Sequence, residues 1–205
     1  MKVNELSVVN EIISKSIKKS ISYPQYRALV AELVQKHSTT GNEKTEALIN
    51  YTMLNDRRMK RWDKTVKLSN EAKTKIKSFG NKVTWLVITE SWCGDAAHIM
   101  PVIHKVAELN DNIDYRIVLR DDNAELMDLF LTNGARAIPK LIMIDNESKE
   151  VLDTFGARPS VATAMVKAYI EEHGMLTSEF KEDLQRWYNK DKGQSTIEDL
   201  LKQLV

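Results

Sequence analysis

The stretch that most constrains this chain is Val83-Thr84-Trp85-Leu86-Val87-Ile88, an apolar run rich in β-branched residues. It reads as a buried strand. After it comes Glu90-Ser91-Trp92-Cys93-Gly94-Asp95-Ala96-Ala97-His98-Ile99-Met100-Pro101, and from Ile99 to Leu109 the apolar positions recur at helical spacing. The only cysteine of the protein therefore stands where a strand hands over to a helix. A thiol at that place faces unpaired backbone N–H groups and the positive end of the helix dipole, both of which favour thiolate. The alternative is a buried cysteine serving as a small hydrophobe. The loop position and the Gly94-Asp95 neighbours argue for an exposed thiol with a lowered pKa, a drop that Asp95 and Glu90 limit.

Elements alternate on both sides of this joint. Val8, Ile12, Ile13 and Ile17 mark a first amphipathic helix with lysines on its outer face. Ser22-Tyr23-Pro24 reads as a second helix start, with Ser22 as cap and a stripe through Tyr26, Leu29, Val30 and Leu33. A long helix is expected over 43–67, with Ala47, Tyr51, Leu54 and Trp62 on one side and Arg57-Arg58-Met59-Lys60-Arg61 as a basic run that reads first as a solvated face and second as a contact for an anion or nucleic acid. Ser69 caps another helix that ends at Gly80. Beyond the motif helix, 95–109, come a strand over 113–119 and a helix over 124–132. That helix opens on a capping box of Asp122 and Glu125 and closes at Asn133-Gly134. Strands over 140–144 and 151–155 form a hairpin. Pro159 opens a helix to about Glu172, stopped by Gly174. Phe180, Leu184 and Trp187 give a further helix, and Ser195 with Glu198 caps a last short one.

At Trp92-Cys93-Gly94, with Pro101 eight residues beyond the cysteine, the chain resembles the thioredoxin superfamily. Gly134-Ala135-Arg136-Ala137-Ile138-Pro139-Lys140-Leu141 is similar to its cis-proline segment, and Phe155-Gly156-Ala157 to the glycine turn after its last strand. The nearer resemblance is to a bacterial thioredoxin-like group carrying Trp-Cys-Gly-Asp-Ala. The resemblance implies a thioredoxin-like α/β fold, a mixed sheet with helices on both faces, and the β-α-β-α-β-β-α order agrees with it. The expected division is a helical N-terminal extension over 1–80, the thioredoxin-like domain over 81–173, and a C-terminal helical extension over 174–205. Two departures stand out. Ala96 occupies the place of the second, resolving cysteine, and Val87 that of a buried strand aspartate. Both changes exclude dithiol disulfide reduction by this chain alone.

The topology gathers Glu90, Trp92, Cys93, Asp95, Arg120, Asp121, Ile138, Pro139 and Arg158 at one sheet edge, where such folds place their sites. Cys93 is the candidate catalytic group. Trp92, Gly94, Asp95, Arg120, Ile138, Pro139 and Arg158 are candidate substrate-binding residues. The Ile138 backbone is free to pair with an extended ligand. Arg120 and Arg158 either clamp an anion or pair with Asp121, Asp122 or Glu90, and the salt-bridge reading comes first. His98 and His104 lack metal-site spacing, so no metal and no cofactor are expected.

Thirty basic against twenty-nine acidic residues argue against a general nucleic-acid binder. No apolar run is long enough for a membrane helix. Met1 to Ser20, broken by Asn4, Glu5, Asn10 and Glu11, lacks a signal-peptide core. One unpaired cysteine then points to the cytoplasm. Two functions remain open: monothiol exchange or redox sensing with a partner protein or a low-molecular-weight thiol, and a redox-inactive binding adaptor or regulator. A homodimer through the helical extensions is a further possibility.

Overall fold

The computed structural model describes residues 2–204, with side chains from Ser7 onward. The reading that used Asn4 and Glu5 therefore lies outside the described side chains. Five strands form one mixed sheet: β1 Ile21–Ser22, β2 Val83–Thr89, β3 Ile113–Leu119, β4 Lys140–Asp145 and β5 Val151–Gly156, in the order β1-β3-β2-β4-β5. Every residue of β2 is buried, which is why that segment reads as an unbroken apolar run. β2 pairs parallel with β3 and antiparallel with β4. The register sets Thr89 beside Leu119 and Ile88 beside Lys140, which in turn faces Gly156. Four loops thus leave the sheet along one edge, carrying Glu90, Arg120, Pro139 and Ala157. β1 is a two-residue edge strand with no counterpart in the sequence reading.

The helices are α1 Lys2–Lys19, α2 Tyr23–Gln35, α3 Glu46–Thr65, α4 Asn70–Ser78, α5 Gly94–Ala107, α6 Ala124–Leu129, α7 Ser160–His173, α8 Ser178–Asp191 and α9 Gln194–Gln203. α5 is the crossover between the parallel strands β2 and β3, and it also packs against α3 and α9. Covered on several sides, it is apolar nearly all round, with Ile99, Met100, Val102, Ile103 and Val106 fully buried. Ser22 caps α2 as expected, in a reciprocal box with Gln25.

Several local expectations fail. α3 is largely turned the other way: Trp62 is buried, but Ala47, Tyr51 and Leu54 are exposed, while Thr52, Asn55, Asp56 and Met59 face inward. α6 has Asn123 at its N-cap with no side-chain cap, so Asp122 and Glu125 form no box. It also ends early, at Leu129. Asn133 and Gly134 instead make a tight turn, φ 52° and 76°, that closes a bridge between Thr132 and Ala135. Both central residues sit in the left-handed region, as a type I′ turn requires. Ser195 lies inside α9, its N–H and hydroxyl both donated to Asp191, and Gly193 precedes the helix.

Candidate functional site

Cys93 is the N-cap of α5. Its Sγ accepts the Ala96 N–H at 3.5 Å and donates to the carbonyl of Ile138 at 3.2 Å. The Ile138–Pro139 peptide is cis. The side chain of Cys93 is only 8% exposed. Burial pushes the thiol up to about 12, the Asp95 carboxylate adds to the rise, and the Ala96 and Asp95 N–H groups with Arg158 act against it. The expected exposed thiol with a lowered pKa is thereby overturned. The helix terminus does act on the sulfur, but desolvation outweighs it.

The cover comes from elements far away in sequence. Tyr188 of α8 donates its hydroxyl to Asp95 Oδ1 at 2.9 Å, and Arg158 Nη2 pairs with Asp95 Oδ2 at 2.8 Å. Asp95 is thus held over the motif as a nearly buried carboxyl whose pKa burial raises, with Arg158 opposing the rise. Beside it, α8 stacks Tyr188 flat on His98, ring centroids 4.5 Å apart. His98 Nδ1 accepts the indole N–H of Trp62 at 2.9 Å, and its Nε2 lies 2.7 Å from Gln185 Oε1. An accepting Nδ1 fixes the proton on Nε2, so the ring is neutral and donates to Gln185. Burial accordingly pulls the His98 pKa down to about 3. From α3, Arg58 reaches the start of α5: a Cβ added to Gly94 would stand 3.6 Å from its Nη1.

The other flank is closed by the loop between α2 and α3. Ser91 Oγ meets the hydroxyls of Thr39, Thr40 and Thr52 at 3.1, 3.1 and 2.8 Å, and its carbonyl accepts from Asn55 at 2.9 Å. Gly41 follows with φ +85°, and a Cβ there would lie 2.8 Å from Asp121 Oδ2 and 3.3 Å from Trp92 Nε1. Only glycine lets the loop approach this closely. Arg120 covers the Trp92 ring at 4.9 Å and donates Nε to Asp121 at 2.9 Å. Glu90 is fully buried; its Oε1 accepts the Asp121 N–H at 2.9 Å, its Oε2 has no partner, and burial raises its pKa. Gly156, φ +121°, packs so tightly on Pro139 that a Cβ would overlap its carbonyl oxygen.

The nine residues read as a constellation lie together at the sheet edge, with Gly94 beside Cys93, yet the chain itself occupies most of their contacts. The Ile138 carbonyl, expected to be free for a ligand strand, accepts a hydrogen bond from the thiol. Arg120 and Arg158 are ion-paired, the second with Asp95 instead of an acid of the β3 loop. Arg58, Gln185, Tyr188 and the hydroxyl cluster around Ser91 were not singled out. For Arg58 the signal was the basic run itself; for α8 only its amphipathic pattern, which does not name a target. Among the described residues no group of three or more His, Cys, Asp and Glu side chains is placed to hold a metal ion. No described helix is long and apolar enough to cross a membrane.

A five-stranded mixed sheet flanked by helices, with the cysteine at the β2–α5 joint and the cis-proline segment opposite, defines a thioredoxin-like α/β protein with helical additions at both ends. The chain belongs to the thioredoxin family: a family model described as Thioredoxin matches residues 41–173, well over half of its length. A crystal structure of a protein of unknown function from Pseudomonas aeruginosa has TM-score 0.57 and 17% identity, with 73% of this chain and 83% of that one covered. A crystallised HIV epitope-scaffold has TM-score 0.55 and 17% identity, covering 84% of this chain and 95% of the other. At such identities the likeness is one of fold. No curated protein matches the chain.

Proposed function

We propose that this chain is a binding or regulatory protein on a thioredoxin scaffold, in which Cys93 is a covered, protonated thiol and not a turnover nucleophile. The observation that carries the reading is the placement of Sγ: 8% exposed, donating to the Ile138 carbonyl, beneath the Tyr188–Asp95–Arg158 cluster. A nucleophilic cysteine needs a thiolate and a path to its target. Here desolvation disfavours the first and α8 obstructs the second. The absence of a cysteine at Ala96 removes the usual route for releasing a mixed disulfide. The candidate residues Trp92, Gly94, Asp95, Ile138, Pro139, Arg120 and Arg158 then serve as the rim of a binding face. We assign the protein to the cytoplasm on its unpaired cysteine.

Monothiol exchange is the second reading, favoured by the retained position of Cys93 at the α5 N-terminus beside Pro139. In that chemistry the Cys93 thiolate attacks a disulfide RS–SR′, forming Cys93–S–SR and releasing R′S⁻, and a thiol R″SH from outside the chain regenerates Cys93 as RS–SR″ leaves. It requires α8 to lift first. Iodoacetamide labelling across pH 6 to 9 separates the two readings. Native Cys93 is expected to react far more slowly than the same thiol in denaturant; a native rate equal to or above that control would establish the monothiol reading instead.

A further inference from the structure

Of the α3 residues that the sequence sets on one side, all but Trp62 are open. Ala47, Tyr51, Leu54, Arg58, Arg61 and Thr65 follow one another at steps of four and three, which is a single stripe on a helix. Tyr51 and Leu54 are 51% and 41% exposed. Beyond them the stripe turns cationic, with Arg57 and Lys64 flanking Arg58 and Arg61. The acids of this half of the helix point the opposite way. Asp56 is paired with Arg27 and Lys60, and Asp63 with Arg27 and the Tyr23 hydroxyl. Among the described residues none of Arg57, Arg58, Arg61 and Lys64 has a carboxylate within ion-pair distance. Arg58 donates to the neutral Asn55 at 3.0 Å, and Arg61 to Asn189 while lying over the Trp62 ring at 4.5 Å.

A solvated helix surface does not account for this arrangement. Helix-dipole stabilisation reaches only the last turn and covers Lys64 alone, since Arg57 and Arg58 sit two turns from the end. Arg58 is half-buried with no carboxylate in ion-pair distance, and burial together with the charge of Arg61 lowers its pKa, against the more distant pull of Asp95. Two cations held close, one of them partly dehydrated, beside two exposed apolar side chains form a surface with an unmet electrostatic requirement. The stripe also runs past Gly94 at the entrance to the thiol.

We propose that this face of α3 docks an acidic peptide segment of a partner protein, an apolar anchor resting on Tyr51 and Leu54 and carboxylates meeting Arg57, Arg58, Arg61 and Lys64. This deepens the binding reading above by naming the class of partner. A bare polyanion would leave Tyr51 and Leu54 unused, which is why a peptide is favoured over nucleic acid.

The test uses the full chain carrying Cys93→Ser, so that its outcome is independent of thiol chemistry. The probe is a fluorescein-labelled synthetic peptide of about 16 residues, leucines toward one end and glutamates toward the other, followed by anisotropy. Saturable binding is expected, weakened about tenfold or more by Arg57→Glu with Arg61→Glu, and likewise by raising salt from low to several hundred millimolar. Tyr51→Ser with Leu54→Ser should weaken it too, whereas the control Lys18→Glu with Lys19→Glu on α1 should not. Circular dichroism melts check that each variant folds, and Arg57→Gln with Arg61→Gln replaces the reversal if it does not. Absence of saturable binding, or equal losses in the α3 and α1 variants, overturns the proposal. So does tighter, α3-dependent binding of duplex DNA or of phosphatidylserine vesicles, which would make the face a polyanion or lipid surface. A reactive thiol with peptide binding intact would sink only the covered-thiol reading.

Discussion

Tyr188 and Asp95, 93 positions apart, are joined by a 2.9 Å hydrogen bond that ties a C-terminal helix to the first turn of the motif helix. Asp95 is the residue a reader of the sequence would put beside a reactive thiol. In the fold it is the anchor of that thiol's cover.

Removing the anchor should uncover the sulfur. Tyr188→Phe deletes one bond to a buried carboxylate and leaves Arg158 in place, a loss of about 1.5–3 kcal/mol for a hydrogen bond to a charged group. We expect urea unfolding to report a decrease of that order and native iodoacetamide labelling of Cys93 to accelerate. Unchanged labelling in a folded, destabilised variant would show that α8 does not gate the thiol.

Cys93 should also leave a signature at alkaline pH. Its folded pKa, about 12, lies above the ordinary thiol value of 9.0, so the folded state holds the proton more tightly than the unfolded state. Stability from this group is therefore complete below pH 9 and falls as pH rises from about 9 toward 12. Comparing wild type with Cys93→Ser between pH 7 and 10.5 isolates the effect: the serine variant should lose stability less steeply.

His98 behaves in the opposite sense. Its folded pKa of about 3 lies below the ordinary 6.5, so the unfolded state takes the proton first as pH falls. The stability that neutral His98 contributes is present above 6.5 and is lost progressively between 6.5 and about 3. In NMR its ring Hε1 resonance should stay still from pH 7.5 to 4.5.

Gly41→Ala tests the second flank. The new methyl group would meet Asp121 Oδ2 at 2.8 Å on a backbone at φ +85°. A cost of about 1–3 kcal/mol is expected for strain at such a position. Acrylamide quenching compared with a Trp92→Phe background should show Trp92 more accessible.

How far these relationships were legible depends on where their causes lie. β2 could be read because a strand buried on both faces must be apolar throughout, and α2 because Ser22 and Gln25 cap it locally. α3 misled because its inward face carries Thr52, Asn55 and Asp56, polar groups that are satisfied only once Ser91 and Arg27 arrive from elsewhere. Its apolar Tyr51 and Leu54 then pointed the helix the wrong way. Cys93 stands in the chain where the sequence puts it but in a different environment: loop position and helix dipole are local, whereas the desolvation that dominates comes from burial in the folded chain. Asp122 with Glu125, and Ser195 with Glu198, had the spacing of caps, but the chain geometry put Asn123 and Gly193 at the helix starts instead.

The hydroxyl cluster at Ser91 bears on how the molecule comes apart. Thr39 and Thr40 lie just ahead of residue 41, where the thioredoxin match begins, yet both bond to Ser91 inside it. A chain trimmed to the matched residues would keep the bond between Ser91 and Thr52 but lose those from Thr39 and Thr40 and strand the Ser91 N–H that Thr40 accepts. The additions at the amino end are therefore not cargo carried by a self-sufficient core. Melting should proceed as one cooperative event, with amides of the motif loop exchanging at the same rate as those of the loop that precedes α3.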